Sequence, residues 1–462
     1  MLKTKNEIIV QSLGAAETVT GSKHLLLTPE LSLLVDCGLF QGLKELRLRN
    51  WDKLPVNPAE IDVMILTHAH LDHCGYIPLL VKNGFKGKIY MTPPTKELAQ
   101  IILLDSAKIQ EEDAEKANRG KYSKHNPALP LYTVEEAQRS FSNFTTVDHN
   151  VVVQLSPHIS FQFIRNGHIL GSCFVAMECF NKKIVFTGDI GRFYSGFLAA
   201  PESIEQADFV FMESTYGDRL HEQKDPSLEL AEAVLNTYRR GGNVLIPAFA
   251  VGRAQEVMKI LSELKEGNHI PFNIPVYLDS PMAADATDIL CRYPDWHKMS
   301  QEQCSQICRD ITINRDSQQT RSIIEDRHPK IVIAASGMLT GGRVLEYMKH
   351  YASKKDNSIL LMGYQAAGTR GRALEEGIRE IKIHGKMITV NARVIEISGL
   401  SAHGDQAEML QWLSGFKTKP QKIFLIHGEL PAMTVFKEKI EAVLHITTEI
   451  MPAKGAVELF KV

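Results

Sequence analysis

THAHLDHCG, residues 67–75, follows directly on DVMIL, residues 62–66. The five-residue run is apolar enough for a short buried strand. The positions after Thr67 then hold His68, His70, Asp72 and His73, three histidines and one aspartate within six residues. Imidazole and carboxylate donors together suit zinc and related divalent cations, and a strand that ends in a turn can aim several side chains into one cleft. A histidine cluster on a solvated surface would need no buried strand beside it. The spacing therefore points to a metal centre at the C-terminal end of a strand.

One such cluster cannot satisfy two metal ions, and further donors stand at the ends of other apolar runs. His168 lies in RNGHILGS after ISFQFI, Asp189 in FTGDIG after KIVF, and His427 in FLIHGE after KIFLI. Asp36, which closes LSLLVDCG, reads as a carboxylate that hydrogen-bonds a ligand histidine rather than touching metal. Together HAHLDH, GHILGS, TGD and the early Asp36 resemble the successive motifs of the metallo-β-lactamase superfamily. The resemblance implies two Zn2+ ions per chain, one held by His68, His70 and His168 and the other by Asp72, His73 and His427. It also implies that Asp189 bridges both ions and that a hydroxide between them is the nucleophile. Two ions about 3.5 to 4 Å apart lower the pKa of such a water toward neutrality and stabilise the entering and leaving oxygens of an in-line displacement.

Outward from these motifs the chain changes rhythm. Up to about Gln206 it shows short apolar runs such as IIVQSL, HLLLT and LSLLVD, a series of hairpin-like runs from Val151 to Phe186, and one long helical stretch, KELAQIILLDSAKIQEEDAEKA. The expectation there is mixed α/β structure with largely antiparallel strands. From Ala207 strand and helix alternate strictly, through DFVFMES, SLELAEAVLNTYRR, NVLIPAF, RAQEVMKILSEL and PVYLDS to KIVIAAS and SILLMGY, the signature of βαβ units around a parallel sheet. After Gly385 short strands return. The expected fold is an α/β protein: a metallo-β-lactamase αββα sandwich made of residues 1–206 and 386–462, with residues 207–385 inserted as a second domain on a mainly parallel α/β sheet.

The superfamily hydrolyses several substrate classes, so HAHLDH alone does not select one. The motifs ESTYGDR, IPAFAVGRAQEVM, LDSPMA, ASGMLTGGR, GYQAAGTRGR and LSAHGD look like the β-CASP subfamily of nucleic-acid-processing hydrolases. The residues suit that chemistry in their own right. Glu213 ends a strand and His403 sits in a turn before a helix, so a carboxylate can orient an imidazole and keep it protonated for a leaving oxygen. Glycines and hydroxyls at strand-to-helix turns present backbone N–H groups to phosphate, which makes Ser336, Thr369, Arg370 and Arg372 the candidate RNA phosphate contacts. The RNA-directed branch of the subfamily, typified by the messenger-RNA 3′-end processing endonuclease and its bacterial and archaeal relatives, carries a histidine where DNA-repair members have an apolar residue. Here that position is His427. The resemblance thus implies a ribonuclease, endo- or 5′-exonucleolytic, that leaves 5′-phosphate and 3′-hydroxyl ends on single-stranded RNA. A small-molecule ester or thioester hydrolase would use the same ligands without needing Glu213 or His403. A DNA-directed nuclease is the other enzymatic alternative, and a binding-only role would tolerate lost ligands.

Composition bounds the remaining choices. The net charge of −2 excludes binding of nucleic acid through an overall basic field, so any RNA contact must be local. Seven cysteines without regular spacing, four of them in apolar or motif-bearing stretches, fit free thiols in a reducing compartment. Cys304 and Cys308 are one helical turn apart with no second pair nearby, which is a weak metal signal. No segment reaches about eighteen uninterrupted apolar residues, and the N-terminus lacks a signal-peptide run. The expectation is a cytoplasmic protein with no membrane partner, with self-assembly into a homo-oligomer left open.

Overall fold

A computed structural model describes residues 3–121, 125–222, 224–453 and 455–462. The chain forms two compact units, Met1–Leu220 with His403–Val462, and His221–Ala402.

The first unit contains two sheets of seven strands among the described residues. One runs, in spatial order, Gly455–Lys461, Glu7–Gly14, Lys23–Leu27, Ser32–Val35, Val63–Ile65, Lys88–Met91, Phe144–Thr146. The other runs Thr448–Ile450, Lys422–Leu425, Phe209–Met212, Lys182–Phe186, Cys173–Cys179, Ile159–Arg165, Val153–Ser156. Their inner faces meet through aromatic contacts such as Tyr90 with Phe161, ring centroids 5.4 Å apart, and Phe209 with Phe460, 5.9 Å apart. The outer face of the second sheet packs on the helices Gln406–Ser414 and Leu430–Leu444, with Phe174, Val210, Trp412 and Phe436 in one core cluster. The long helix Pro93–Gly120 begins where its sequence says it should: Thr92 accepts the Thr95 N–H and prolines follow at the first positions, where a missing N–H costs nothing.

Strand direction differs from the sequence expectation for part of this unit. The hairpins expected between Val151 and Phe186 are antiparallel, but Ser32–Val35, Val63–Ile65, Lys88–Met91 and Phe144–Thr146 pair in parallel. The segments between them are long enough to cross over and include helices, which is what parallel pairing needs. A parallel run also puts the C-terminal ends of Ser32–Val35 and Val63–Ile65 side by side, so Asp36 and the histidine cluster emerge at one edge.

Among the described residues the second unit has six strands in one all-parallel sheet, ordered Thr312–Asn314, Val276–Asp279, Ile331–Ala334, Val244–Pro247, Ser358–Met362, Arg393–Ile397. The helices Pro226–Arg239, Arg253–Glu266, Pro281–Arg292 and Val344–Tyr351 follow the alternation read from the sequence. Cys304 and Cys308 lie on the helix Gln301–Asp310, and all seven cysteines are free thiols. Two strands near the change of rhythm join the unit other than the one the rhythm suggests. Phe209–Met212 lies in the first unit between Lys182–Phe186 and Lys422–Leu425, and Arg393–Ile397 is the edge of the second unit's sheet beside Ser358–Met362. Strand content alone does not say which sheet a strand joins. No helix of the described residues is long and apolar enough to cross a membrane.

Candidate metal centre

The site is built on strand ends of the first unit. Asp36 ends Ser32–Val35 in a left-handed conformation, φ 59°, and its buried carboxylate ties two neighbouring segments together. One oxygen accepts the Thr67 N–H at 2.8 Å, and the other accepts the Thr67 hydroxyl at 2.9 Å and His73 Nδ1 at 2.7 Å. Because the Thr67 hydroxyl proton goes to Asp36, its oxygen is left to accept from His68 Nδ1, 3.1 Å away. Both Nδ1 atoms thereby become donors, and Nε2 of His68 and of His73 is turned inward. The single-turn helix Leu71–Cys74 is clamped from behind by Ser22 N–H on the Asp72 carbonyl at 2.8 Å and Cys37 N–H on the His73 carbonyl at 2.7 Å. A Cβ at Gly38 would stand 1.6 Å from the Asp72 carbonyl oxygen, so only glycine permits this approach.

His168 is set by the GHILGS turn, in which the Ser172 hydroxyl oxygen accepts the His168 N–H at 3.1 Å. His427 follows the strand Lys422–Leu425 with φ 47° and meets the Thr215 hydroxyl through Nδ1 at 3.2 Å. Asp189, two residues past Thr187 at the end of Lys182–Phe186, reaches the middle. Its Oδ2 is 3.4 Å from Nε2 of both His68 and His168, and its Oδ1 is 3.2 Å from His73 Nε2 and 3.5 Å from His427 Nδ1.

Two donor groups result, His68, His70, His168 and Asp189 on one side, Asp72, His73 and His427 on the other. His70 Nδ1 lies 3.2 Å from His68 Nε2 and 3.1 Å from His168 Nε2, and His427 Nε2 lies 3.2 Å from His73 Nε2 and 3.5 Å from Asp72 Oδ2. Metal–ligand bonds of the usual zinc length, arranged as a tetrahedron, put neighbouring donor atoms about 3.3 Å apart. The donor chemistry fits as well as the spacing. Burial holds His68 and His168 well below the ordinary imidazole range and His70 at about 4, so these rings are neutral, with lone pairs facing each other. Burial works against charge on His73 too, but Asp189 and Asp36 together push it well above its ordinary value. The chain's own charges thus call for a cation there. Asp189 Oδ1 is buried and, although His73 Nε2 lies 3.2 Å away, no donor among the described residues meets it with hydrogen-bond geometry, as expected of an oxygen that faces a metal.

A third group, Asp189, Glu213 and His403, adjoins the first two. Glu213 is fully buried, accepts the Ile190 N–H at 2.6 Å, and receives His403 Nδ1 at 3.0 and 3.1 Å on its two oxygens. His403 Nε2 is then directed toward Asp189, 4.0 Å away. Burial lowers the His403 pKa, but Glu213 outweighs it and raises it to about 9. The backbone around His403 is fixed by a clamp that the motifs did not reveal. Gly404 N–H donates to the Ile190 carbonyl at 2.8 Å, and Glu408 accepts from Phe193 N–H at 2.9 Å, Arg192 Nε at 3.0 Å and Asp405 N–H at 3.1 Å. The D-x-x-E pattern of Asp405 and Glu408 signals a capping box, and the structure has it. Thr67 and Thr215 also escaped the reading, although each adjoins or closely follows a motif residue.

The four polar residues singled out in the second unit have partners within that unit. The Ser336 hydroxyl accepts the Thr340 N–H at 3.0 Å and the Gly341 N–H at 3.2 Å. Thr369 caps the helix Arg370–Glu375 by accepting the Arg372 N–H at 3.2 Å. Arg370 donates to the carbonyls of Lys382 at 2.6 Å and Leu339 at 2.8 Å, and Arg372 pairs with Glu375 at 3.1 Å.

Comparison with known proteins gives three family matches along the chain. Residues 25–207 match a metallo-beta-lactamase superfamily domain, residues 254–374 a Beta-Casp domain, and residues 387–452 a Zn-dependent metallo-hydrolase RNA specificity domain. Over 444 residues the chain is 33% identical to transcription termination factor FttA of Methanocaldococcus jannaschii, covering 91% of this chain and 67% of that one. It is also 33% identical over 426 residues to ribonuclease TTHA0252 of Thermus thermophilus, covering 90% and 92%. A crystal structure of a protein of unknown function from Enterococcus faecalis has the same fold, at a TM-score of 0.54 and 13% identity, covering 98% of this chain and all of that one (100%). With its motifs, its two units and these relatives in agreement, the chain belongs to the β-CASP family of metal-dependent hydrolases on the metallo-β-lactamase fold.

Proposed function

We propose that the protein is a zinc-dependent ribonuclease that hydrolyses phosphodiester bonds of single-stranded RNA and leaves 5′-phosphate and 3′-hydroxyl ends. The observation that carries this reading is the meeting of two donor groups at one buried carboxylate, Asp189, beside a histidine kept protonated by Glu213. His68, His70 and His168 would hold one zinc ion and Asp72, His73 and His427 a second, with Asp189 shared between them. Bound there, two ions supply Lewis acidity toward a phosphoryl oxygen and a water of lowered pKa.

The rest is the work of the chain's own residues. Asp36 and Thr67 hold His68 and His73 in the tautomers that present Nε2 inward. Glu213 accepts a hydrogen bond from Nδ1–H of His403 and its charge keeps the ring in the imidazolium form, so that Nε2 also carries a proton to pass to the departing 3′-oxygen. An alkoxide leaving group needs such an acid, whereas the thiolate of a thioester leaves without one. RNA as the substrate is further supported by the RNA-specificity match, which spans both His403 and His427. Ser336, Thr369, Arg370 and Arg372 are the proposed phosphate contacts. The reading includes a cytoplasmic location and leaves a homo-oligomer open.

The test is to incubate the purified protein with labelled RNA, labelled DNA and a thioester, each with and without zinc. Cleavage of RNA alone, dependent on zinc and giving 5′-phosphate products, is expected. Turnover of the thioester with intact RNA would overturn the proposal.

A further inference from the structure

We infer that the surface segment formed by the helix Lys44–Leu48 and the turn Arg49–Trp51 is a stacking platform for a base of the RNA strand outside the scissile bond, an inference that rests on the ribonuclease reading above. The helix has no buried residue, yet the segment carries large apolar side chains into solvent: Trp51 is 57% exposed and Leu48 55%. Lys44, Arg47 and Leu48 stand at i, i+3 and i+4 of the helix, so they share one side, and Trp51 closes the 3-10 turn that follows it. The segment thus combines an indole and a leucine with two cations. Over residues 44–53 the cations are Lys44, Arg47, Arg49 and Lys53, against Glu45 and Asp52. In a chain whose net charge is −2, such a local excess is what RNA binding requires.

The opposite side is bolted to the metal centre in two steps. Asn50 is buried and exchanges hydrogen bonds with the Phe40 backbone, 2.8 Å in each direction, while the Arg49 guanidinium lies over the Phe40 ring at 4.2 Å. Leu39 N–H in turn donates to the carbonyl of Leu71 at 3.0 Å, between His70 and Asp72. The platform is therefore held on the same short segment that leads away from Asp36. Folding accounts for Asn50 and Arg49 but not for an exposed tryptophan. An indole face flanked by cations matches single-stranded nucleic acid, whose bases stack on aromatic rings while its phosphates meet the charges, with little sequence preference.

The experiment compares the full chain with Trp51→Ala, Trp51→Phe and the double variant Lys44→Gln/Arg47→Gln on a short oligouridylate. KM and kcat, salt dependence and tryptophan emission on adding the oligonucleotide are followed. Trp51→Ala should raise KM about ten-fold with kcat unchanged, and the quenching of emission should be lost. Trp51→Phe should recover most of the KM, and the double variant should flatten the salt dependence of KM. Unchanged KM and quenching in Trp51→Ala, while RNA is still cleaved, would overturn the platform and leave the ribonuclease reading standing. So would a change in oligomeric state in place of a change in KM, which would make the patch a self-association surface. Failure of the unaltered chain to cleave RNA would instead overturn the reading on which the platform rests.

Discussion

The metal centre of the first unit and the motif turns of the second both set polar side chains in turns, but they use them in opposite ways. In the second unit the polar groups of Ser336, Thr369 and Arg370 bond to nearby backbone, and Arg372 pairs with Glu375. In the first, Asp36, Thr67, Glu213 and Thr215 hold the outer atoms of histidine rings, while the inner nitrogens face one another at 3.1 to 3.2 Å. A set of converging lone pairs around a buried oxygen without a donor is costly unless a cation joins it. The lesson is that a site shows itself by what its polar atoms fail to find within the chain, more than by which residues it contains.

The comparison predicts unequal consequences of mutation. Asp189→Ala should be the most severe, because Asp189 faces both donor groups and, among the described residues, no other carboxylate stands between them. Activity should fall by more than the roughly 10⁴-fold upper limit for a lost general acid, with fewer ions bound on metal analysis. His403→Ala comes next: turnover should drop by about 10² to 10⁴ with metal content intact. Loss of metal in that variant would make His403 a ligand.

Glu213→Gln should cost less than His403→Ala and should show itself in the pH profile. Glu213 raises the His403 pKa to about 9, so His403 is protonated below that pH and, as the proposed acid, should give a rate that declines above it. Without the carboxylate, the alkaline limb should move to lower pH. An unmoved limb would separate Glu213 from the titration of His403. Smallest of all, Thr369→Ala removes a helix cap from the second unit and should lower stability by about 1 kcal/mol, read by chemical denaturation. As a proposed phosphate contact it should also raise KM for RNA modestly; a loss of cleavage as deep as that of Asp189→Ala, without any loss of stability, would break the contrast between the two regions.

Much of the metal centre was legible because its donors stand at the ends of apolar runs, where a sequence pattern and a structural position coincide. His168, Asp189 and His427 are far apart in sequence, but each closes or closely follows a strand of the same sheet. The pairing of Glu213 with His403 rested on the family resemblance, since only Glu213 closes a strand and His403 sits in a turn before a helix. The clamp of Arg192 and Glu408 could not, since its partners are more than two hundred residues apart and only the local capping box leaves a trace. The partners of Ser336, Thr369, Arg370 and Arg372 were hidden as well. A glycine-rich turn looks the same in sequence whether its polar groups meet a phosphate or its own backbone. Strand allegiance was ambiguous at the junctions, where Phe209–Met212 and Arg393–Ile397 read as ordinary strands and joined sheets that pattern alone could not assign.

The central claim is that two donor groups sharing Asp189 hold two metal ions, although His427 comes more than 350 residues after the histidine cluster. Anomalous diffraction from zinc-soaked crystals of the unaltered protein and of His427→Ala tests it directly. Two occupied sites are expected in the unaltered protein. In the variant, the site of His68, His70 and His168 should stay occupied while the site of Asp72 and His73 empties, with a steep fall in RNA cleavage. One site in the unaltered protein, or two full sites and undiminished cleavage in the variant, would contradict the account.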